Sequence, residues 1–466
     1  GTNQLRLNTG IFTGPPPFIL LSNAFGNTGL NLAQLDCLTA GQVPGLVSSI
    51  ANLPQACVGQ PAPVAGTRGT NVINATSGDF RFPQFAVASF GFDRKLPWGV
   101  TATIEGTYRE AINGAIVEQA NLIGPRQVAG QIITDRNGRV LYGDFTQGAT
   151  AAVNADQRFI LNTFGPNGGT VPVAFSNGAL VVNNQSRDKN WTMSGSLRKS
   201  FGRVLDIGGS YTYMRALDVQ SLTSDQAVSL WQNGRQLAGA HTDLTPTTSY
   251  FQRPHRAIVF GTLTSPWKKW QTDVTAYYEG MSGTPFTYTT NGDLNGDGFN
   301  GNDPIYVPRS ASDLNEIRIG TGTGAAFTPN AAAQAAFEKF IEDQPCLDRQ
   351  RGSIMARNSC RSPWQNRMDV SVRQSLPKLY GQAFTVQLDI FNFLNFLNND
   401  WGRIELPVLS SAFPSQQVLI QRGVTPGTLG TRQVNYEFDS QVRNNGGADQ
   451  AKPFAVPANS IANLYR

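Results

Sequence analysis

Apolar and polar residues alternate with a period of two in several stretches of this chain, most cleanly over 366–395. Val370 and Val372 fall on one parity, with Asp369, Ser371 and Arg373 on the other. After a break at 377–381, Phe384, Val386, Leu388 and Ile390 alternate with Thr385, Gln387 and Asp389. Successive side chains of a strand point to opposite sides, so the two runs predict a hairpin with one wholly apolar face and one charged face. Two environments suit such a hairpin: a soluble antiparallel sheet with its core on one side and water on the other, or a transmembrane barrel with lipid against the apolar face.

The rest of the chain decides between them. Hairpins of the same kind are expected at about 84–110, 189–216 and 255–288, turning at 96–99, 201–203 and 265–270. In the first, Ala102, Ile104, Gly106 and Tyr108 oppose Thr101, Thr103, Glu105 and Arg109. In the second, Leu205, Ile207, Gly209, Tyr211 and Tyr213 oppose Asp206, Ser210 and Thr212. In the third, Val274, Ala276 and Tyr278 oppose Asp273, Thr275, Tyr277 and Glu279. Leu5 to Phe12 reads as a further strand, and long polar connections run over about 13–83, 111–188, 217–252, 289–362 and 398–460. Tight turns that alternate with long loops match an outer-membrane barrel, whereas sandwiches keep loops short at both ends.

Aromatic residues agree. Each tight turn carries one or more (Trp98, Phe201, Trp267 with Trp270, Tyr380), and aromatics return about ten positions later at Tyr108, Tyr211 and Tyr278. Ten residues rising ~3.3 Å each and tilted about 45° climb roughly 23 Å, close to the ~25 Å apolar band between two aromatic girdles. The expected fold is therefore all-β, an antiparallel transmembrane barrel with long extracellular loops. Its polar faces place Glu105, Arg109, Arg198, Asp206, Asp273, Glu279, Asp369, Arg373 and Asp389 toward the lumen, where charges of both signs can pair and be hydrated.

Composition narrows the alternatives. Only 15% of residues are charged and 40% hydrophobic, with 48 glycines in 466 residues. No apolar run of about 18 residues predicts a spanning helix. The net charge of +5 is scattered, without the basic stripe interleaved with aromatics that a nucleic-acid groove needs. Four cysteines form two closely spaced pairs, Cys37 with Cys57 and Cys346 with Cys360, lacking the spacing of a zinc or thioredoxin site; two disulfides in an oxidising compartment are expected.

Chemistry-bearing motifs are sparse. In loop 293–303, Asp293, Asn295, Asp297 and Gly298 hold the first, third, fifth and sixth places of an EF-hand-like loop, with Phe299 at the carbonyl place and Asp303 one residue before Pro304 at the twelfth. Calcium is one reading; a polar loop that uses Asx and Gly turns is the other. Thr328 is the expected N-cap of a short loop helix, with Pro329 at its first position and Phe337, Phe340 and Ile341 on one side. Two histidines, His241 and His255, and the absence of hydrolase, metalloprotease and phosphate-loop motifs argue against an enzyme. His255 is expected to cap its strand or face the lumen.

Several stretches together resemble the barrel region of Oar-like TonB-dependent outer-membrane receptors: 10–17, 293–298 with 302–304, 357–364 with 367–369, and 388–395. The resemblance runs in order over most of the chain. It implies a barrel of about 22 strands plugged by a globular domain, in the outer membrane of a Gram-negative-type bacterium, in contact with its lipid. It also implies uptake of an extracellular substrate, energised by the TonB complex through the plug. No plug, TonB box, signal sequence or last aromatic-ended strand is recognised, so 1–466 is expected to be the C-terminal part of such a receptor. A surface adhesin with disulfide-tied loops is the alternative.

Overall fold

A computed structural model describes residues 2–26, 37, 39–45, 53–62, 73–142, 179–323, 326–407, 415–425, 433–439 and 454–455, apart from positions 16, 121, 123, 126, 129, 268, 269 and 379. Most of the connection at 111–188 and the alternation expected at the chain's end lie outside them.

Nine strands form one antiparallel wall: β1 (Asn3–Thr13), β2 (Gln84–Lys95), β3 (Val100–Gln119), β4 (Lys189–Phe201), β5 (Leu205–Asp218), β6 (His255–Thr264), β7 (Thr272–Met281), β8 (Gln365–Ser375) and β9 (Thr385–Ile390). Each pairs with the next in sequence, so the wall is an up-and-down meander whose path begins at β1 and ends at β9. The register brings the apolar parities to one side. Leu5 faces Phe92, Phe92 faces Ile104, Ile104 faces Gly195, Gly195 faces Tyr211 and Tyr211 faces Ala257. Farther along, Val274, Val372 and Leu388 form another such row.

Large hydrophobic side chains on this side are exposed: Leu7 by 70%, Met193 by 53% and Leu388 by 59%. A soluble sheet would cover them; a sheet in lipid need not.

The expected hairpins are present, with changed ends. The third strand runs on to Gln119, and the last connection spans 376–384, closed by a hydrogen bond from the Leu376 amide to the Phe384 carbonyl at 2.9 Å. The final run stops at Ile390, because Asn392 turns left-handed (φ 52°) into a short helix, Phe393–Leu397. In the tight turns Trp98, Trp270 and Tyr380 hold φ of 62°, 67° and 50°. Such a conformation costs a side-chain-bearing residue about 1–2 kcal/mol, and all three rings are exposed.

At the other end of the wall the described parts of the long connections contain short strands of their own. Short strands from different loops lie side by side, some of them parallel: Ile73–Thr76 on Ala179–Gln185, Pro285–Asn291 on Ser415–Thr425, and Arg318–Thr321 on Gln433–Phe438. Long connections permit these pairings, which local alternation does not predict. The molecule's buried core lies in this layer, where Phe286, Tyr288, Ile305, Phe337, Phe340, Ile341 and Phe438 pack together. A second cluster joins Val117, Leu180, Val182, Leu230, Trp231 and Phe299.

The loop helix is Ala331–Glu342, capped by Asn330, whose side chain accepts the Ala333 amide; Thr328 and Pro329 are taken up in a short ladder with Gly320 and Thr321. Its Phe337, Phe340 and Ile341 face the core as expected. No helix among the described residues is long and apolar enough to cross a membrane.

Candidate functional site

The face of the wall opposite the apolar one carries ion pairs. Arg6 on β1 lies 3.0 Å from Asp93 on β2 and 2.9 Å from Glu105 on β3. Arg198 meets Asp206 at 2.6 Å across β4 and β5, Arg256 meets Glu279 at 2.5 Å across β6 and β7, and Arg367 meets Asp369 at 2.7 Å along β8. The Arg109 guanidinium sits 3.5 Å above the Phe85 ring. Asp273 accepts from Thr264 Oγ1 at 2.8 Å, and Asp389 accepts from Gln387 at 3.0 Å. Arg373 stands in register between Asp273 and Gln387.

All nine charged positions expected on the polar face thus share one side. Arg6, Asp93, Arg256 and Arg367 lie on the same side, and strand parity is the signal that identifies them. Most of these pairs are partly exposed, so each contributes ~0–1 kcal/mol to stability. What they provide is a hydrated, charged surface.

The loop layer is tied together by buried polar contacts. Arg357 donates to Asp218 Oδ1 at 2.8 Å, to Ser221 Oγ at 2.7 Å and to the Val219 carbonyl at 3.0 Å, joining the segment after the loop helix to the end of β5. Arg139 donates to Asp303 Oδ1 at 2.7 Å, with both side chains buried. His241 Nε2 is 2.9 Å from Asp297 Oδ2, and its ring lies 4.4 Å from the Trp231 ring centroid. The two disulfides have the expected partners, Cys37 with Cys57 and Cys346 with Cys360. The second anchors the segment that follows the loop helix to the short strand Cys360–Arg361 beside Phe286.

Burial dominates the electrostatics of this layer. It pushes the Asp303 carboxyl up to about 6 against the pull of Arg139. Burial acts likewise on Asp297, but the hydrogen bond and charge of His241, with the Phe299 amide and Asn302, hold that carboxyl below its ordinary value. Desolvation raises Asp188, just before β4, to about 6, and lowers Arg235 to about 10.

Loop 293–303 uses its oxygens for hydrogen bonds. Asp293 accepts the Gly296 and Gly298 amides, Asn295 accepts the Asp297 amide, Asp297 also accepts from Asn302, and Asp303 accepts the Leu294 amide at 2.7 Å. Arg139 brings its own positive charge to Asp303. Among the described residues no three His, Cys, Asp or Glu side chains converge as a metal site. As arranged, these side chains form a hydrogen-bonded lock that closes the loop onto Arg139 and His241.

His255 falls on the apolar parity, not toward the polar face, and its Nδ1 is 2.6 Å from the Tyr211 hydroxyl. On the loop layer a shallow cleft opens among Asp135, Arg136, Glu316, Arg318 and Tyr436. Its mixed charges suit a polar ligand and specify none.

Comparison with known proteins supplies the family. No curated protein matches the chain. Among solved structures it is similar to the outer membrane transporter YddB from Escherichia coli, at 10% identity and a TM-score of 0.37 over 93% of this chain and 37% of that one. The chain therefore spans little more than a third of that transporter. A family model described as an outer membrane beta barrel domain matches residues 3–401, a span that opens with β1 and includes all nine wall strands. With its apolar face exposed across the whole meander, this chain belongs to the outer membrane beta barrel domain family and resides in the outer membrane.

Proposed function

We propose that the chain is part of the barrel of an Oar-like, TonB-dependent receptor of about 22 strands, which binds an extracellular substrate at its loop layer and inner polar face. Uptake is energised by a TonB complex acting through a plug domain. In this reading the apolar side meets lipid, the ion-paired side lines the lumen, and β1 and β9 continue into further strands, since unpaired backbone in lipid is costly. One observation carries it: a single meander divides cleanly into an exposed apolar face and a charged face, with a packed loop layer at one end only.

The test is transport by cells carrying the full-length receptor. Outer-membrane vesicles should hold a heat-modifiable barrel, and candidate peptides, oligosaccharides or chelates should accumulate only when both the receptor and a functional TonB are present. Accumulation independent of TonB would overturn the energised mechanism. Loss of cell adhesion with uptake intact would favour an adhesin, a role the disulfide-tied loops suit.

A further inference from the structure

We infer that the tight-turn end of the wall carries a basic and aromatic collar that binds the phosphate-bearing headgroups of anionic phospholipids in the leaflet it faces. The inference rests on the apolar face being lipid-facing. Arg94 and Lys199 belong to that face, one or two residues before their strands end at Lys95 and Phe201. Lys95, Arg203 and Lys378 lie in or beside the turns and are exposed, as is Arg94. No ion pair to any of these five occurs among the described residues, and Lys199 Nζ instead sits 4.1 Å from the centre of the Phe201 ring.

Carboxylates at the same height are all on the other face and are engaged there: Asp93 by Arg6, Asp206 by Arg198, Asp273 by Thr264. The unpaired cations of this end thus lie on the apolar face or in and beside the turns, whereas its carboxylates lie on the polar face, where Arg6 and Arg198 partner two of them. The loop end of the same apolar face differs. There Lys189 pairs with Glu110 at 3.1 Å, and Arg215 lies over the Trp191 ring at 5.6 Å.

The aromatics complete the collar. Trp98, Trp270 and Tyr380 hold left-handed backbones that present their rings to the surroundings among these cations. Rings with one apolar and one polar side settle at headgroup level, and Lys or Arg beside them attracts anionic lipid by several-fold per cation. Uncompensated cations at that level complement a phosphate that carries net charge, which a zwitterionic headgroup lacks.

The experiment places the full-length chain in phosphatidylcholine vesicles containing 20 mol% of either brominated phosphatidylglycerol or brominated phosphatidylcholine. The readout is the tryptophan quenching that disappears when Trp98, Trp267 and Trp270 are replaced by Phe. Phosphatidylglycerol should quench roughly three- to ten-fold more effectively. The preference should approach unity in R94Q/K95Q/K199Q/R203Q/K378Q, and in the unaltered protein at high salt, which screens exposed charge. The salt arm does not depend on the variant assembling. Equal quenching by the two lipids in the unaltered protein overturns the collar, as does a preference that survives both the substitutions and the salt. No quenching by either lipid overturns the lipid-facing reading and the collar with it.

Discussion

The wall and the loop layer solve opposite problems with the same residue types. In the wall Leu7, Met193 and Leu388 are exposed and the arginine–carboxylate pairs are half-open, as at Arg198 and Asp206. In the loop layer Phe337 and Phe340 are wholly buried, and Arg139 with Asp303 or Arg357 with Asp218 is sealed from solvent. A water-soluble domain is built like the second, with its own core and paired buried charges. The first is half of an interface whose other half is lipid. Its stability therefore depends on the bilayer, whereas that of the loop layer depends on packing, and substitutions should separate the two.

The largest expected effect is in the loop layer. Phe340 meets Tyr288 edge-on, stacks on Phe337 and lies tilted against Phe438, and Phe340→Ala removes that centre at a cost of about 3–5 kcal/mol. Limited proteolysis should cut the loops of this variant quickly while its heat-modifiable mobility in membranes persists. A variant that also failed to insert would show that the two regions fold as one unit.

Next comes the wall. Leu388→Arg puts a charge on the apolar face, at roughly 2–4 kcal/mol if the position is near the bilayer midplane. Its neighbour Gln387 faces the polar side beside Asp389, so Gln387→Arg should assemble normally. Equal yields of assembled protein from the two variants would remove the distinction between the faces.

This contrast also explains what could be read from the chain. Lipid on one side and water on the other force a strict period of two, so Val386, Leu388 and Ile390 betray their strand without knowledge of any partner. Both disulfides were legible from spacing within single loops. The loop layer was not, because its strands are short and their partners distant: Thr287 lies beside Ser415, and His241 reaches Asp297 from another loop. Loop 293–303 resembled a cation loop because Asx and Gly turns use the same residues in the same order. Its partners Arg139 and His241 are announced by no local motif. Thr328 lost its capping role to Asn330 for a similar reason, a ladder partner at Thr321.

A smaller effect links pH to the loop layer. Asp188 accepts the Val219 amide at 2.9 Å in a site where burial raises its carboxyl to about 6 from an ordinary 3.8. A folded value above the unfolded one means that stability is greatest when the group is protonated, and is lost as pH rises from about 4 to 6. Two units correspond to roughly 3 kcal/mol at most. Asp188→Asn should therefore stabilise the loop layer at pH 7 and leave it unchanged at pH 4. Asp303 keeps a slope of its own, so the informative quantity is the difference between variant and unaltered protein in thermal melts at the two pH values. A difference independent of pH would assign the gain to packing.

The smallest effect is expected where the wall meets water. Arg198 and Asp206 form a short, bidentate contact, at 3.3 and 2.6 Å, supported by Ser200, a geometry that would be strong if buried. The Arg198 side chain is 64% exposed, however, so both partners remain hydrated and the pair gains little over water. Arg198→Gln should change stability by less than about 1 kcal/mol and leave assembly intact, in contrast to Leu388→Arg. The same substitution leaves Asp206 as an uncompensated negative charge on the polar face, so a current or uptake measurement should register what a melt does not: anionic solutes disfavoured and cationic ones favoured. A loss of stability as large as that from Phe340→Ala would mean that this face is packed against protein, and the division between a lipid-dependent wall and a self-supporting loop layer would have to be redrawn.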